Sequence, residues 1–279
     1  MAGSIMRKLA LEIQVVGVHR GERPNLPFTL PALPEGCTLQ DLVDVLKKGN
    51  AYEFPKADNT ADAVVFGIDL EENALKVLLI ERGREGEPYF GYWALPGGFI
   101  NMGESLDVTA PRELLEETGV SLSYMEQLYT FSAPGRDPRG RVIATAYLGL
   151  VRPQAVTLKA ADDAVNARWY AVTQLPRLGF DHRKIIRVGL RRLRSKVRWQ
   201  PVGIDLLPEE FTLTQLQQVY EVVLQRELDK RTFRKKVLRF GVLIETGRTK
   251  RNGHRPAKLY RFDREAYQKL VAEGMDFEV

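Results

Sequence analysis

Between positions 97 and 120 the chain reads GGFINMGESLDVTAPRELLEETGV, and Glu113, Glu116 and Glu117 fall at i, i+3 and i+4. A helix puts those three side chains on one face. With Glu104 counted, four like charges crowd one surface and repel each other unless a cation sits among them. Hard carboxylate oxygens suit Mg²⁺ or Mn²⁺, and Mg²⁺ usually shares such a site with substrate phosphates. Arg112 can pair with a carboxylate and orient it. Gly97 and Gly98 allow the preceding loop to come close, offering a backbone carbonyl as another ligand. A solvated, glutamate-rich surface helix is the plainer alternative.

The helix is expected over residues 105–118, and Pro111 falls inside it. Proline lacks the N–H that would bond near Asp107, and its ring presses on the preceding turn, at a cost of ~3 kcal/mol in a helix interior. Either the helix kinks there, or its regular part begins later with Pro111 in the first turn. Both geometries rotate Glu113 relative to Glu117, which puts full metal-dependent activity in question.

Around this stretch the pattern is mixed α/β. ADAVVFGIDL and ALKVLLIERG are strand-like runs separated by Glu71-Glu72-Asn73, a hairpin signal. Further strands are expected over 123–131, 142–151 and 167–170. Before them, 9–18 is strand-like, four prolines (Pro24, Pro27, Pro31, Pro34) follow, and Thr38 caps a short helix ending at Gly49. These divide the 279 residues into a 1–55 appendage, a 56–182 domain, a 183–200 linker helix and a 201–279 domain.

Charge divides the same way. Residues 1–180 hold 18 Lys/Arg against 23 Asp/Glu, a net of −5; residues 181–279 hold 23 against 13, a net of +10. An acidic front and a basic back suggest two tasks, the second on nucleic acid. A solvated basic surface is the alternative. The single Cys37 excludes an internal disulfide framework, and the scattered His19, His182 and His254 argue against a histidine-built metal site. No apolar run approaches the ~18 residues of a membrane span. A cytoplasmic protein with no membrane partner is expected.

In the basic part, FTLTQLQQVYEVVL has helical apolar spacing, and after a turn LDKRTFRKKVLRFGVL surrounds Phe233, Val237 and Leu238 with cations. One apolar face and one basic face are what a recognition helix needs. Residues 247–255, GRTKRNGHR, form a glycine-containing basic loop between strand candidates 242–245 and 258–262, a wing. The DNA-binding candidates are Lys230, Arg231, Arg234 and Lys235 on the helix and Arg248, Lys250 and Arg255 on the wing. Aromatic interleaving suited to single strands is absent, so duplex DNA is favoured over RNA. A basic helical domain that binds another protein is the alternative. A helix-turn-helix reading two half-sites implies a homodimer.

The acidic stretch resembles the Nudix box, G-x5-E-x7-R-E-U-x-E-E-x-G-U with U aliphatic, filled at Gly98, Glu104, Arg112, Glu113, Leu114, Glu116, Glu117, Gly119 and Val120. More broadly, WALPGGF, PGRDPRGR, ADDAVNARW, GFDHRKII, FTLTQLQQVYE, KRTFRKKVL and RPAKLYRF occur in that order, and together they resemble the Nudix-related transcriptional regulators of NAD metabolism. The resemblance implies an α/β fold, a Nudix α/β/α sandwich, followed by a C-terminal winged helix-turn-helix. It implies catalytic roles for Glu104, Arg112, Glu113, Glu116 and Glu117, and metal binding by Glu113, Glu116, Glu117 and the Gly97 carbonyl. The ligand implied is ADP-ribose or a related nucleoside diphosphate, and the partner is duplex operator DNA. Guanidinium groups suit phosphate, so Arg82, Arg136, Arg139 and Arg141, with Asp163 as a late carboxylate, are the ligand-binding candidates. An ordinary polar hairpin loop at 134–141 and solvated aspartates at 162–163 are the alternatives. Two functions stay open: a regulator that senses ADP-ribose, or a Mg²⁺-dependent ADP-ribose diphosphatase whose tail only helps it dimerise.

Overall fold

The computed structural model describes residues 56–122, 125–158, 164–201, 204, 206–252 and 255–273. The elements expected before residue 56, and Asp162 and Asp163, lie outside the described residues. Strands β1 (Asp58–Asp69) and β2 (Ala74–Arg82) form the expected antiparallel hairpin. Asp69 shapes its turn by accepting the N–H groups of Glu71 and Glu72, each at 3.0 Å.

A seven-stranded mixed sheet grows from this hairpin. On one side of β1 lies β6 (Val142–Leu150), parallel to it, and beyond that β5 (Met125–Phe131) at the edge. β4 (Gly97–Phe99) pairs with the start of β1, while β3 (Trp93–Ala94) and β7 (Ala164–Ala171) pair with β2. Along β1 alternate residues serve opposite faces. Ala63 and Val65 pack with Leu78 and Leu114, whereas Val64, Phe66 and Ile68 pack with Leu79, Ile185 and Ile186. Both faces are covered, which is why the strand reads as a continuous apolar run.

Helix α1 (Leu106–Thr118) covers one face. It starts at Leu106 and runs through Pro111, so the later start allowed by the sequence is not what the chain adopts. Thr109 and Val108 both donate their N–H to Ser105 O, and the Tyr147 hydroxyl donates to Asp107 at 2.7 Å, which anchors the turn that Pro111 weakens. The other face is covered by α2 (His182–Trp199), the helix expected as a linker. Ile185, Ile186, Leu193 and Val197 on α2 are fully buried. Gly189 lets it lie close to the sheet, since a Cβ there would stand 3.0 Å from Val64 Cγ1. The result is the α/β/α sandwich.

The remainder is a winged helix. Thr212, at the end of β8 (Phe211–Thr212), caps α3 (Leu213–Leu224) in a capping box with Gln215. Asp229 caps α4 (Lys230–Arg239). Tyr220 of α3 meets Phe233 of α4 edge to face at 5.3 Å, fixing the angle between them. The wing differs from expectation: β9 (Leu243–Asn252) and β10 (Arg255–Phe262) extend through most of the basic loop. β8 pairs with β10, and α5 (Arg264–Ala272), an element not expected from the sequence, follows under an Asp263 cap.

The described residues from Ala57 onward form one compact unit. One hydrophobic core runs from Val64 and Phe66 through α2 to Leu216, Val219 and Val223 of α3. Polar contacts join the same parts: Gln218 on α3 donates to Leu70 O at 2.7 Å in the β1–β2 turn. Among the described residues no helix is long and apolar enough to cross a membrane.

Candidate functional site

A cleft of about 380 Å³ opens where β1, β2, β4, α1 and the start of α2 meet, and Glu113, Glu117, Gly97, Gly98, Arg82 and Arg139 line it. Glu117 is half-buried, and its carboxylate accepts the Gly97 N–H at 2.8 Å. Burial, above all, pushes its pKa up to about 8. Burial also raises that of Glu113. Gly98 leaves room for Glu113: a Cβ there would stand 2.3 Å from Glu113 Oε1, and the carboxylate would have to move aside.

The remaining carboxylates are gathered by Arg112. It contacts Glu104 at 2.8 Å, Glu113 at 2.8 Å and Glu116 at 2.9 Å. Its hydrogen bonds hold the Glu104 pKa down at about 2. Arg112 therefore binds three glutamates rather than one. Among the described residues no three carboxylates converge as a ready-made ion site. The donor set still fits a hard divalent cation: Glu113 and Glu117 share the cleft with their charge opposed by burial, and a cation relieves that opposition.

The arginines expected to hold ligand part into two groups. Arg82 and Arg139 flank the cleft; Arg82 pairs with Glu87 at 2.7 Å and Arg139 with Asp137 at 2.7 Å. Their guanidinium carbons stand 5.0 and 5.4 Å from the centre of the Phe180 ring. Arg141 is exposed and donates to Ser132 O, outside the residues that line the cleft. Arg136 also lines the cleft, at its buried floor, with Asp181 at 2.7 Å and Asp62 at 3.6 Å. Asp163 is outside the described residues.

Beneath these lies a polar floor that sequence reasoning missed. Asp62 stands in an otherwise apolar strand, ADAVVF, and that isolated aspartate was its only signal. Its Oδ2 has no hydrogen-bond partner among the described residues, and desolvation lifts its pKa to about 7. His182 Nδ1 accepts the Leu95 N–H at 2.8 Å, so the neutral ring carries its proton on Nε2, 3.9 Å from Asp62. Burial holds the His182 pKa down at about 3.

Arg136→Ala leaves the buried Asp62 and the half-buried Asp181 without their cation, and the expected loss is about 3 kcal/mol of folding stability. Arg141→Ala is expected to stay within about 0.5 kcal/mol of the parent. Urea unfolding of both variants reads this, and equal midpoints would overturn the structural role of Arg136.

On the winged helix, Lys230, Arg231, Lys235, Lys236 and Arg239 of α4 are exposed, opposite the buried Phe233 and Val237. Arg234 is turned away: its Nη2 donates to Thr214 Oγ1 on α3 at 3.1 Å, and its Nε is buried. In the wing Arg248 is exposed and ion-paired with Glu210, and Lys250 is exposed. Arg255 begins β10, but its side chain lies outside the described residues.

Residues 59–188 match the NUDIX domain family, and residues 203–262 match the NrtR DNA-binding winged helix domain. The chain is 36% identical over 219 residues to the ADPR responsive transcriptional repressor NtrR of Acinetobacter baylyi, covering 77% of this chain and 86% of that protein. It is 40% identical over 147 residues to the ADP-ribose pyrophosphatase of Methanocaldococcus jannaschii, covering 52% and 79%. The crystal structure of Shewanella oneidensis NrtR complexed with a 27mer DNA superposes with a TM-score of 0.63 at 35% identity, covering 75% of this chain and 95% of that one.

Proposed function

The chain belongs to the Nudix-related transcriptional regulators, which join a Nudix domain to an NrtR-type winged helix, and on that premise we propose how it works. It is a transcriptional regulator, in our reading a repressor of NAD-related metabolism, whose Nudix domain binds ADP-ribose and whose winged helix binds operator DNA. The observation that carries this is the placement of an arginine-flanked, carboxylate-lined cleft and an exposed basic helix in one compact unit. Ligand recognition falls to residues 56–182 and DNA recognition to 201–279. Arg82 and Arg139 take the diphosphate, while Lys230, Arg231, Lys235, Arg248 and Lys250 take operator phosphates. Two copies of the chain meet the two half-sites of a pseudo-palindrome.

A second reading, retained hydrolysis of ADP-ribose to AMP and ribose 5-phosphate, is favoured by Glu113 and Glu117 facing the cleft together. Glu113, Glu116, Glu117 and the Gly97 carbonyl would hold Mg²⁺ or Mn²⁺, which neutralises diphosphate charge and activates water when bound. Arg112 keeps Glu104, Glu113 and Glu116 oriented until then.

The test is competition at physiological salt, with labelled fragments from upstream of NAD-related genes set against excess unrelated duplex, with and without ADP-ribose. A regulator keeps a specificity ratio of ~10³ or more, and ADP-ribose shifts the bound fraction. If unrelated DNA competes equally for every fragment, the regulator reading fails and the diphosphatase reading replaces it.

A further inference from the structure

Phe180 holds a left-handed backbone, φ +50°, which a non-glycine residue adopts only where its surroundings impose it. It lines the cleft, and its ring stands beside both Arg82 and Arg139. It is also two residues before α2. The next residue, Asp181, receives Arg136 at 2.7 Å, and His182, the first of α2, accepts the Leu95 N–H. The head of α2 is thus built into the cleft.

Its 18 residues run about 27 Å at 1.5 Å each, and the far half grips the winged helix. Arg194 Nε donates to Val223 O at 3.1 Å and its Nη2 to Gln225 Oε1 at 2.6 Å. Gln225 ends α3 in a left-handed conformation, φ +53°, at the turn that sets where α4 begins. Arg194 therefore fastens the rod to the turn that aims the basic helix.

We infer that Phe180 contacts the bound nucleoside diphosphate and that α2, headed by Phe180 and fastened by Arg194, carries the ligand's effect from the cleft to the DNA-reading helices. When phosphates draw Arg82 and Arg139 away from the Phe180 ring, the constraint on the left-handed Phe180 changes, and Asp181 and His182 shift with it. A rigid helix passes that shift to Val223 and Gln225. The inference rests on the proposed sensing of ADP-ribose and adds the route.

The experiment uses the full chain, ADP-ribose, and a duplex selected by the unmodified protein from a random pool. Calorimetry gives the ADP-ribose affinity, and fluorescence anisotropy gives the DNA affinity with and without saturating ADP-ribose. In the parent the two ligands change each other's affinity by the same factor, roughly 5- to 150-fold. Arg194→Ala is expected to bring that factor to within about twofold of one while each separate affinity stays within about threefold. Gln225→Gly gives the same result, and it relaxes the left-handed backbone, so loss of fold is not expected. Phe180→Ala weakens ADP-ribose about tenfold.

Undiminished coupling in Gln225→Gly, or in a folded Arg194→Ala, overturns the inference. A parent that binds both ligands independently also overturns it while leaving both sites standing. A parent that gives no ADP-ribose heat removes the sensing function itself, and calorimetry tells that outcome from the others.

Discussion

The double variant Glu116→Gln, Glu117→Gln is expected to keep its fold and, on the proposed reading that hydrolysis is retained, to lose ADP-ribose turnover in Mg²⁺ by roughly a thousandfold, since metal charge stabilisation supplies several kcal/mol and each 1.4 kcal/mol is about tenfold. The fold is kept for a structural reason. An amide in place of the Glu117 carboxylate still offers an oxygen to the Gly97 N–H, now held at 2.8 Å, and it removes a charge that burial opposes. At position 116 the parent side chain is exposed, and Arg112 retains Glu104 and Glu113 as partners. Melting without divalent ions is thus expected to be unchanged or higher, while Mg²⁺-dependent release of AMP disappears. Unchanged turnover in the double variant would remove these glutamates from the chemistry. A collapse of the melting transition would show that the pair supports the sandwich instead.

The glutamate spacing was legible because a helix of 3.6 residues per turn converts sequence offsets directly into a shared face. The β1–β2 hairpin, the capped α3 and the basic α4 were legible for the same reason: each is a local pattern with its own start and stop signals. What escaped depends on distant partners. Arg136 sits in a proline- and glycine-broken segment that looks exposed, yet it is buried because Asp62 and Asp181 come to it from β1 and from the head of α2. Arg112 has the composition of a one-carboxylate orienter, and only the fold brings Glu104 back to join Glu113 and Glu116. The 183–200 segment gives the periodicity of an amphipathic helix but not the identity of its partner. That partner is the sheet face of Val64 and Phe66, so the supposed linker is a layer of the sandwich. The wing strands were cut short because basic residues mask strand propensity when pairing with β10 decides the matter.

Arg234 is where such a distant partner changes an expectation about DNA, and the size of the effect makes it measurable. All four cations at the head of α4 look equivalent along the sequence. In the fold Lys230, Arg231 and Lys235 face solvent, while Arg234 reaches back to Thr214 on α3. Each phosphate contact releases counterions, so losing one reduces the slope of log affinity against log salt by ~0.9. The triple variant Lys230→Ala, Arg231→Ala, Lys235→Ala is therefore expected to flatten the slope by ~2.7, weakening binding by about 10²- to 10³-fold at physiological salt. Sequences of every kind lose affinity together, because phosphates position the protein without reading bases. Arg234→Ala is expected to leave the slope near the parent's. Its cost appears in stability instead, about 1 kcal/mol from the lost contact between α3 and α4. Anisotropy titrations at four or more salt concentrations, beside urea unfolding of each variant, separate the two kinds of loss. A slope that falls by ~0.9 in Arg234→Ala and holds steady in the triple variant would mean that α4 meets DNA with a different face.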